Sequence, residues 1–114
     1  MAIDVNAELR YCQVSPQKMR LVIDLVRGKN AEESISRLRF VNKKAAKPVI
    51  KLISSALANA ENNFGLPREN MIIHTIIANP APLRKWRRFG ARGRIKPILR
   101  RSSHVHVMLR EKNQ

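Results

Sequence analysis

The chain has 114 residues, the size of one folded domain with a single hydrophobic core. Its hydrophobic content of 44% is ordinary for a globular protein, whereas its formal net charge of +15 and its isoelectric point of about 11.5 are not. We expect a single domain over residues 1–114, and the charge indicates a polyanionic partner.

Several classes of protein are excluded by the sequence. No apolar run approaches the roughly 18 residues that cross a bilayer, and the N-terminus lacks the basic and then apolar pattern of a signal peptide. The single cysteine, Cys12, cannot form an internal disulfide, which agrees with a reducing compartment. We therefore expect a soluble, unexported protein with no membrane partner.

The first forty residues predict one strand followed by two helices. Residues 3–14 tolerate β structure and alternate weakly, which favours a strand that would suit the edge of a sheet. Ser15 and Pro16 mark a helix start, after which apolar residues recur at helical spacing as far as Gly28. Asn30, with Glu33 three residues later, resembles a capping box for a second, short amphipathic helix.

A third and longer helix is predicted from residue 42 or a little later to residues 63–65. Pro48 has no amide hydrogen, so this helix either starts close to Ala45, which leaves Pro48 in the first turn, or bends at Pro48. The sequence leaves both possibilities open. The helix presents a wide apolar stripe formed by Val49, Leu52, Ile53, Ala56, Leu57 and Ala60.

After Pro67 the hydrophobic period changes to two, which is typical of strands. Residues 71–78 and 103–109 are rich in β-branched side chains and have strand length, and we expect them to pair antiparallel. The midpoint between them lies near residue 91, between Gly90 and Gly93, where glycine permits a tight reversal. Residues 80–102 therefore predict a long β-hairpin that projects from the body.

The positive charge is concentrated in this hairpin. Residues 1–69 hold twelve Lys or Arg against seven Asp or Glu, whereas residues 70–110 hold ten against none. So many cations without an acid exceed an ordinary solvated charge run, and arginine forks suit phosphate. The hairpin residues predicted to bind nucleic acid through charge are Arg84, Lys85, Arg87, Arg88, Arg92, Arg94, Lys96, Arg100 and Arg101.

Two aromatic residues and several body cations extend this candidate interface. Trp86 and Phe89 flank the hairpin tip, where they either stack on unpaired bases or pack across the two strands. Cations on the helices of the body either line a second basic surface or are ordinary solvated residues. These body cations are Lys18, Arg20, Lys43, Lys44, Lys47 and Lys51.

The sequence argues against catalysis. Ser15 and Lys18 match an S-x-x-K motif, but the partner motifs of that enzyme class are absent, and Ser15 is better explained as a helix cap. His74, His104 and His106 would hold a metal only if paired strands brought them together, and no neighbouring carboxylate is available to orient them. We predict no catalytic residue, no metal and no cofactor.

Several segments resemble one known family. The most specific is Gly93-Arg94, followed after nine residues by His104-Val105-x-Val107, which looks like a signature at the base of the returning arm. Other similar stretches are SPQKMRLV from residue 15, NKKAA from residue 42 and ANAEN from residue 58. By these residues, and over nearly the whole chain, the sequence resembles the large-subunit ribosomal protein L-twenty-two family.

This resemblance implies an α+β fold in which three helices pack on a three-stranded antiparallel sheet, with the basic hairpin as an extension. It implies a structural constituent of the large ribosomal subunit that binds its rRNA, aids assembly and lines the polypeptide exit tunnel with the hairpin. The implied partners are large-subunit rRNA, neighbouring large-subunit proteins and the nascent polypeptide. The chain would be a monomer within a cytoplasmic ribosome, or within an organellar one.

One departure from the family lies at the hairpin tip. Many bacterial members read Pro-Arg-Ala-x-Gly-Arg where this chain has FGARGR at residues 89–94, so one basic contact usual at the tip is missing. We hypothesise that Trp86 or Phe89 supplies a stacking contact instead. The alternative functions are an architectural DNA-binding protein with a basic β-arm and a small metallohydrolase built on the three histidines.

Overall fold

The computed structural model describes residues 4–81, 84–89 and 95–112. The elements follow in chain order as β1 (Asp4–Cys12), α1 (Pro16–Ile23), α2 (Ala31–Leu38), α3 (Ala46–Phe64), a short 3-10 turn (Arg68–Asn70), β2 (Met71–Pro80), β3 (Arg84–Phe89), β4 (Ile95–Arg100) and β5 (Ser103–Glu111). The described residues thus confirm an α+β fold with three helices and a three-stranded antiparallel sheet.

The three-stranded sheet has the order β1-β5-β2, with both neighbouring pairs antiparallel. Strand β5 suits the centre because its alternate residues Val105, Val107 and Leu109 are apolar and fully buried. The register sets Ala7 of β1 and Ile76 of β2 on either side of Val107, so apolar positions share the face toward the helices. The predicted pairing of residues 71–78 with 103–109, and the edge position of the first strand, are confirmed.

The helices cover one face of this sheet and enclose the hydrophobic core. α1 buries Met19, Val22 and Ile23 at helical spacing, and α2 adds Ile35 and Leu38. The predicted stripe of α3 is confirmed, since all six of its members are buried: Val49, Leu52, Ile53, Ala56, Leu57 and Ala60. Truncating one of the larger buried side chains to alanine should cost about 2–5 kcal/mol.

The ends of the helices follow the predicted caps. The Ser15 hydroxyl oxygen accepts the Lys18 amide at 3.4 Å, and Asn30 Oδ1 accepts the Glu33 amide at 3.1 Å. Pro48 is the third residue of α3, so it lies in the first turn, where a missing amide hydrogen breaks no helical bond. α3 ends at Phe64 and is capped by Gly65, whose φ of 64° places it in the left-handed region that glycine adopts readily.

α1 is shorter than the sequence predicts, because the regular helix stops at Ile23 rather than near Gly28. Tighter turns continue the chain, as in the 3.1 Å bond from the Leu25 amide to the Val22 carbonyl. Gly28, with φ of 78°, then donates its amide to the Ile73 carbonyl at 2.9 Å. Pairing with β2 thus draws these residues out of the helix.

Strands β3 and β4 form a second, two-stranded antiparallel sheet. The register pairs Arg84 with Arg100 and Phe89 with Ile95, so the pairing is centred on residue 92, one position from the predicted midpoint. The predicted reversal at Gly90 lies outside the described residues. The projection of residues 80–102 from the body stays a prediction.

Candidate nucleic-acid interface

Cations gather on one side of the body, where the start of α1, the loop between α2 and α3, and the start of β5 meet. A cavity of about 700 Å³ there is lined by Lys18, Lys43, Lys44 and Arg101, with Leu21 among its apolar residues. Among the described residues, no Asp or Glu lines this cavity. The fold therefore assembles four predicted nucleic-acid-binding residues that are far apart in the sequence.

A second cavity, of about 550 Å³, lies at the loop between α2 and α3. It shares Lys43 and Lys44 with the first cavity and adds Arg39, Phe40 and Lys47. Its lining within the described part of the chain is also free of Asp and Glu. The two cavities are therefore parts of one positively charged surface.

A third cavity, of about 420 Å³, continues this surface along α3 from Lys47 to Lys51 and also borders Glu8 of β1. We call the cations that line the three cavities the basic face. Its members are Lys18, Arg39, Lys43, Lys44, Lys47, Lys51 and Arg101.

The local sequence explains why these side chains face outward. Leu38 at the end of α2 and Ala46 at the start of α3 are buried, so they anchor both ends of the connecting loop in the core. The residues between them that face solvent include Lys43 and Lys44. Lys47, which follows Ala46, lies one helical turn before Lys51 on the same side of α3. Buried apolar residues thus fix the direction of the exposed cations.

The charges of the basic face are not neutralised within the described part of the chain. The ion pairs found there use other cations: Arg10 with Glu8, Arg27 with Asp24, Arg68 with Glu32 and with Glu61, and Arg110 with Asp4. Uncompensated cations on one surface generate a positive potential that attracts a polyanion. This surface is chemically suited to the phosphates of a nucleic acid.

The β3–β4 sheet places like charges at opposing backbone positions. Arg84 pairs with Arg100, and Arg88 pairs with Lys96, so two of the six cross-strand pairs join two cations. Such pairs destabilise an isolated hairpin. Of the other hairpin residues predicted to bind, Lys85, Trp86, Arg87 and Phe89 lie on β3, whereas Arg92 and Arg94 lie outside the described residues.

A family model described as Ribosomal protein L22p/L17e matches residues 7–110. The chain belongs to this family. The match runs from within β1 almost to the end of β5, and it confirms the resemblance inferred from the sequence. The protein is therefore a large-subunit ribosomal protein of an RNA-binding family that acts in translation and is structural rather than enzymatic.

In this ribosomal protein, Arg20 has a partner within the chain itself. Its Nη2 donates to the Ala78 carbonyl of β2 at 3.1 Å, and Arg27 Nη2 donates to the Ile76 carbonyl at 2.9 Å. β2 is an edge strand, so these bonds satisfy acceptors that the sheet leaves free. Arg20 is thus set apart from the lysines of the basic face by a role in holding α1 to the sheet.

The histidines and the cysteine have ordinary surroundings. His104 Nδ1 accepts the Tyr11 amide at 3.0 Å, and its ring meets the Tyr11 ring edge-on at a centroid distance of 4.7 Å. Among the described residues, no three His, Cys, Asp or Glu side chains are grouped so that they could hold a metal ion. Burial raises the pKa of the Cys12 thiol, which disfavours the reactive thiolate.

The part of the chain that the structure describes contains no helix with both the length and the apolar character needed to cross a membrane.

Two residues of this ribosomal protein that line the second cavity were not predicted from the sequence, namely Arg39 and Phe40. Phe40 is 90% exposed, the most exposed large apolar residue among those whose burial the structure describes. The sequence places Phe40 between two amphipathic helices, next to a cation on one side and near two more on the other. An aromatic residue among loop cations is the sequence pattern from which Arg39 and Phe40 could have been predicted as part of the interface.

Proposed function

We propose that this ribosomal protein binds large-subunit rRNA through two regions. One is the basic face of the body, and the other is the hairpin that contains β3 and β4, which we call the arm. The body holds the protein on the RNA surface. The arm enters the RNA and lines the polypeptide exit tunnel, where it meets the nascent polypeptide. By joining RNA segments at both regions, and by contacting neighbouring large-subunit proteins, the protein aids assembly of the subunit in the cytoplasmic ribosome.

The basic face is the observation that carries this proposal. Seven cations line adjoining cavities, and within the described residues none of them forms an ion pair. Lys and Arg that contact phosphate release condensed counterions, which supplies most of the sequence-independent affinity for nucleic acid. Because these cations line concave cavities, the surface suits a folded RNA backbone.

The arm is supported by its register and by its charge. Two cross-strand pairs, Arg84 with Arg100 and Arg88 with Lys96, oppose like charges, which is destabilising, and rRNA phosphates would provide a counter-charge. The Cα positions extend 66 Å along the longest axis and 26 Å along the next, an outline that suits a protein with a projecting arm. The proposal includes Arg92 and Arg94 at the tip, together with Trp86 or Phe89 as a stacking contact.

A charge-matched pair of variants tests the basic face. The first variant combines Lys18→Gln, Lys43→Gln and Lys44→Gln, and the control combines Lys29→Gln, Arg37→Gln and Lys112→Gln, which removes the same charge elsewhere. Binding to large-subunit rRNA is measured over a range of salt concentrations. The first variant should flatten the log–log salt slope by roughly 2–3, because each neutralised phosphate contributes about 0.7–0.9 to that slope. Equal slopes for the two variants would contradict a localised interface.

Replacing residues 83–101 by a short turn tests the arm. With six phosphate contacts in the arm, the salt slope should flatten by roughly 4–5. Duplex DNA is the control ligand, because the alternative function is an architectural DNA-binding protein. Equal affinity for duplex DNA and rRNA, or a slope unchanged by the deletion, would favour that alternative.

A further inference from the structure

Phe40 occupies an unusual position in the loop between α2 and α3. Phe40 is 90% exposed, and no other aromatic ring packs against it among the residues whose side chains the structure describes. Leaving a phenylalanine in water forfeits the roughly 1.5–3 kcal/mol that its burial would contribute. An isolated exposed apolar residue needs no special explanation, so the surroundings of Phe40 decide whether its exposure has a role.

The surroundings of Phe40 combine an apolar floor with a cationic rim. Phe40 lines the cavity of about 550 Å³ together with Leu38, Ile50 and the cations Arg39 and Lys47. A volume of this size lies within the roughly 300–1,000 Å³ typical of small-ligand sites. A cavity with one exposed ring and several unpaired cations suits a ligand that carries a flat apolar surface beside a negative charge.

The loop holds Phe40 in a fixed backbone position. The Phe40 amide donates to the Arg37 carbonyl at 3.1 Å, and the Val41 amide donates to the Leu38 carbonyl at 3.1 Å. Val41 is half-buried against the core, and Ala46, whose amide donates to Lys43, is buried. A ring presented on such an anchored loop loses little conformational entropy when it binds a ligand.

From these observations we propose that Phe40 is a stacking site for one unpaired nucleobase of RNA, with Arg39, Lys43 and Lys47 holding the adjoining phosphates. A nucleotide supplies the flat ring and the negative charge together, and unpaired bases in RNA stack on aromatic side chains. A protein partner would have to desolvate the rim cations to reach Phe40, which disfavours that occupant. This inference rests on the proposed rRNA binding and names a base-binding contact within it.

The test uses the full chain and a single-stranded oligoribonucleotide of about 12 nucleotides with one central 2-aminopurine, alongside the same strand in a duplex. Phe40→Ala should weaken binding of the single strand by about 5- to 100-fold, the effect of losing one base–aromatic stack. It should also reduce the quenching of 2-aminopurine. Duplex affinity and the salt slope should stay unchanged, because no charge is removed and no base face is free.

Three further variants separate stacking from other effects. Phe40→Trp should retain the affinity and the quenching, whereas Phe40→Leu, which keeps apolar area without a π-face, should behave like Phe40→Ala. Phe64→Ala removes a Phe that is 45% exposed at the end of α3 and lies outside the basic face, so it should change nothing. Unchanged thermal midpoints will show that the variants are folded.

A second measurement places the contact in native RNA. Ultraviolet irradiation of the protein bound to full-length large-subunit rRNA, followed by mass spectrometry, should find a nucleotide attached within residues 39–41. The inference is overturned if Phe40→Ala leaves single-strand affinity and quenching unchanged, if Phe40→Leu retains full affinity, or if no nucleotide is attached there. In each case, a salt slope that still depends on Lys18, Lys43 and Lys44 would leave the proposed rRNA binding standing.

Discussion

At the scale of single residues, Asp4 and Arg110 form an ion pair between β1 and the central strand β5. Arg110 Nε lies 2.7 Å from Asp4 Oδ1, and the two residues occupy opposing register positions. This hydrogen bond is the main cause of a lowered pKa for Asp4, and Coulombic attraction to the guanidinium adds to it. The pair therefore makes stability depend on pH.

The sign of this dependence follows from the direction of the shift. The folded carboxyl has a pKa below that of an unfolded aspartate, about 3.9, so the pair stabilises the fold above that pH. The stabilisation is lost as pH falls through the folded pKa. Asp4→Asn should therefore lower the thermal midpoint at pH 7, and the difference from wild type should shrink in acid.

The control for this prediction is Glu69→Gln, which removes the same charge from an exposed residue. Glu69 forms no ion pair within the described part of the chain. Glu69→Gln should lower the thermal midpoint at pH 7 by less than Asp4→Asn does. A constant difference between Asp4→Asn and wild type from pH 7 to pH 2 would contradict the assignment of the effect to this carboxylate.

Asn30 joins two elements through the two ends of its amide. Oδ1 caps α2 by accepting the Glu33 amide at 3.1 Å, while Nδ2 donates to the Glu69 carbonyl at 2.8 Å. Asn30→Ala should lower the free energy of unfolding by about 1–2 kcal/mol in urea titrations, because both bonds are lost. Asn30→Asp keeps the cap acceptor and should recover part of the loss. Full recovery would mean that the bond to Glu69 contributes nothing.

Whether the role of a residue can be predicted from the sequence depends on how far along the chain its interaction partner lies. The caps at Ser15 and Asn30 act within three residues, so their sequence pattern was sufficient. The contact from Arg20 to Ala78 joins positions 58 apart, and only the fold brings them together. Phe40 was missed because hydrophobic character predicts burial, and its exposure depends on which side of the loop faces the core.

At the scale of elements, the free edge of β2 forms hydrogen bonds with two side chains and one backbone amide from residues 20–28. Arg20 and Arg27 bind the carbonyls of Ala78 and Ile76, and the Gly28 amide binds that of Ile73. An uncovered edge strand invites pairing with another chain. The same contacts explain why α1 ends early, because the residues after Ile23 bond to β2 instead of continuing the helix. The helical spacing of apolar residues in the sequence cannot show this pairing.

Arg27→Ala should therefore destabilise the fold and promote self-association. We expect a loss of about 1 kcal/mol in the free energy of unfolding, measured by urea titration. The loss comes mainly from the hydrogen bond to the half-buried Ile76 carbonyl, because the ion pair of Arg27 with Asp24 is exposed and contributes little. Light scattering during slow heating should rise earlier than for wild type. Lys18→Ala, an exposed substitution on α1, should stay within about 0.5 kcal/mol of wild type. Equal behaviour of the two variants would argue against a role for Arg27 at this edge.

At the scale of the whole molecule, the net charge of +15 favours binding of a polyanion but lowers the stability of the free protein. The separate helices and strands were readable from periodicity, because that is a property of the chain at short range, whereas the three-stranded sheet was implied by the family resemblance. The continuity of the basic face was not readable, since it depends on Arg101 meeting Lys18 and Lys43 in space. Without RNA, these clustered cations repel one another and weaken the compact state.

Salt should therefore stabilise the free protein while it weakens RNA binding. Raising the ionic strength from about 0.01 M to 0.1 M shortens the screening length from about 30 Å to about 10 Å. The thermal midpoint of the free chain should rise by roughly 2–5 °C as the repulsion is screened. Removing charge at Lys18, Lys43 and Lys44 should reduce this rise more than removing it at Lys29, Arg37 and Lys112, because the former are clustered. A midpoint that falls with salt would mean that the internal ion pairs outweigh the repulsion within the basic face.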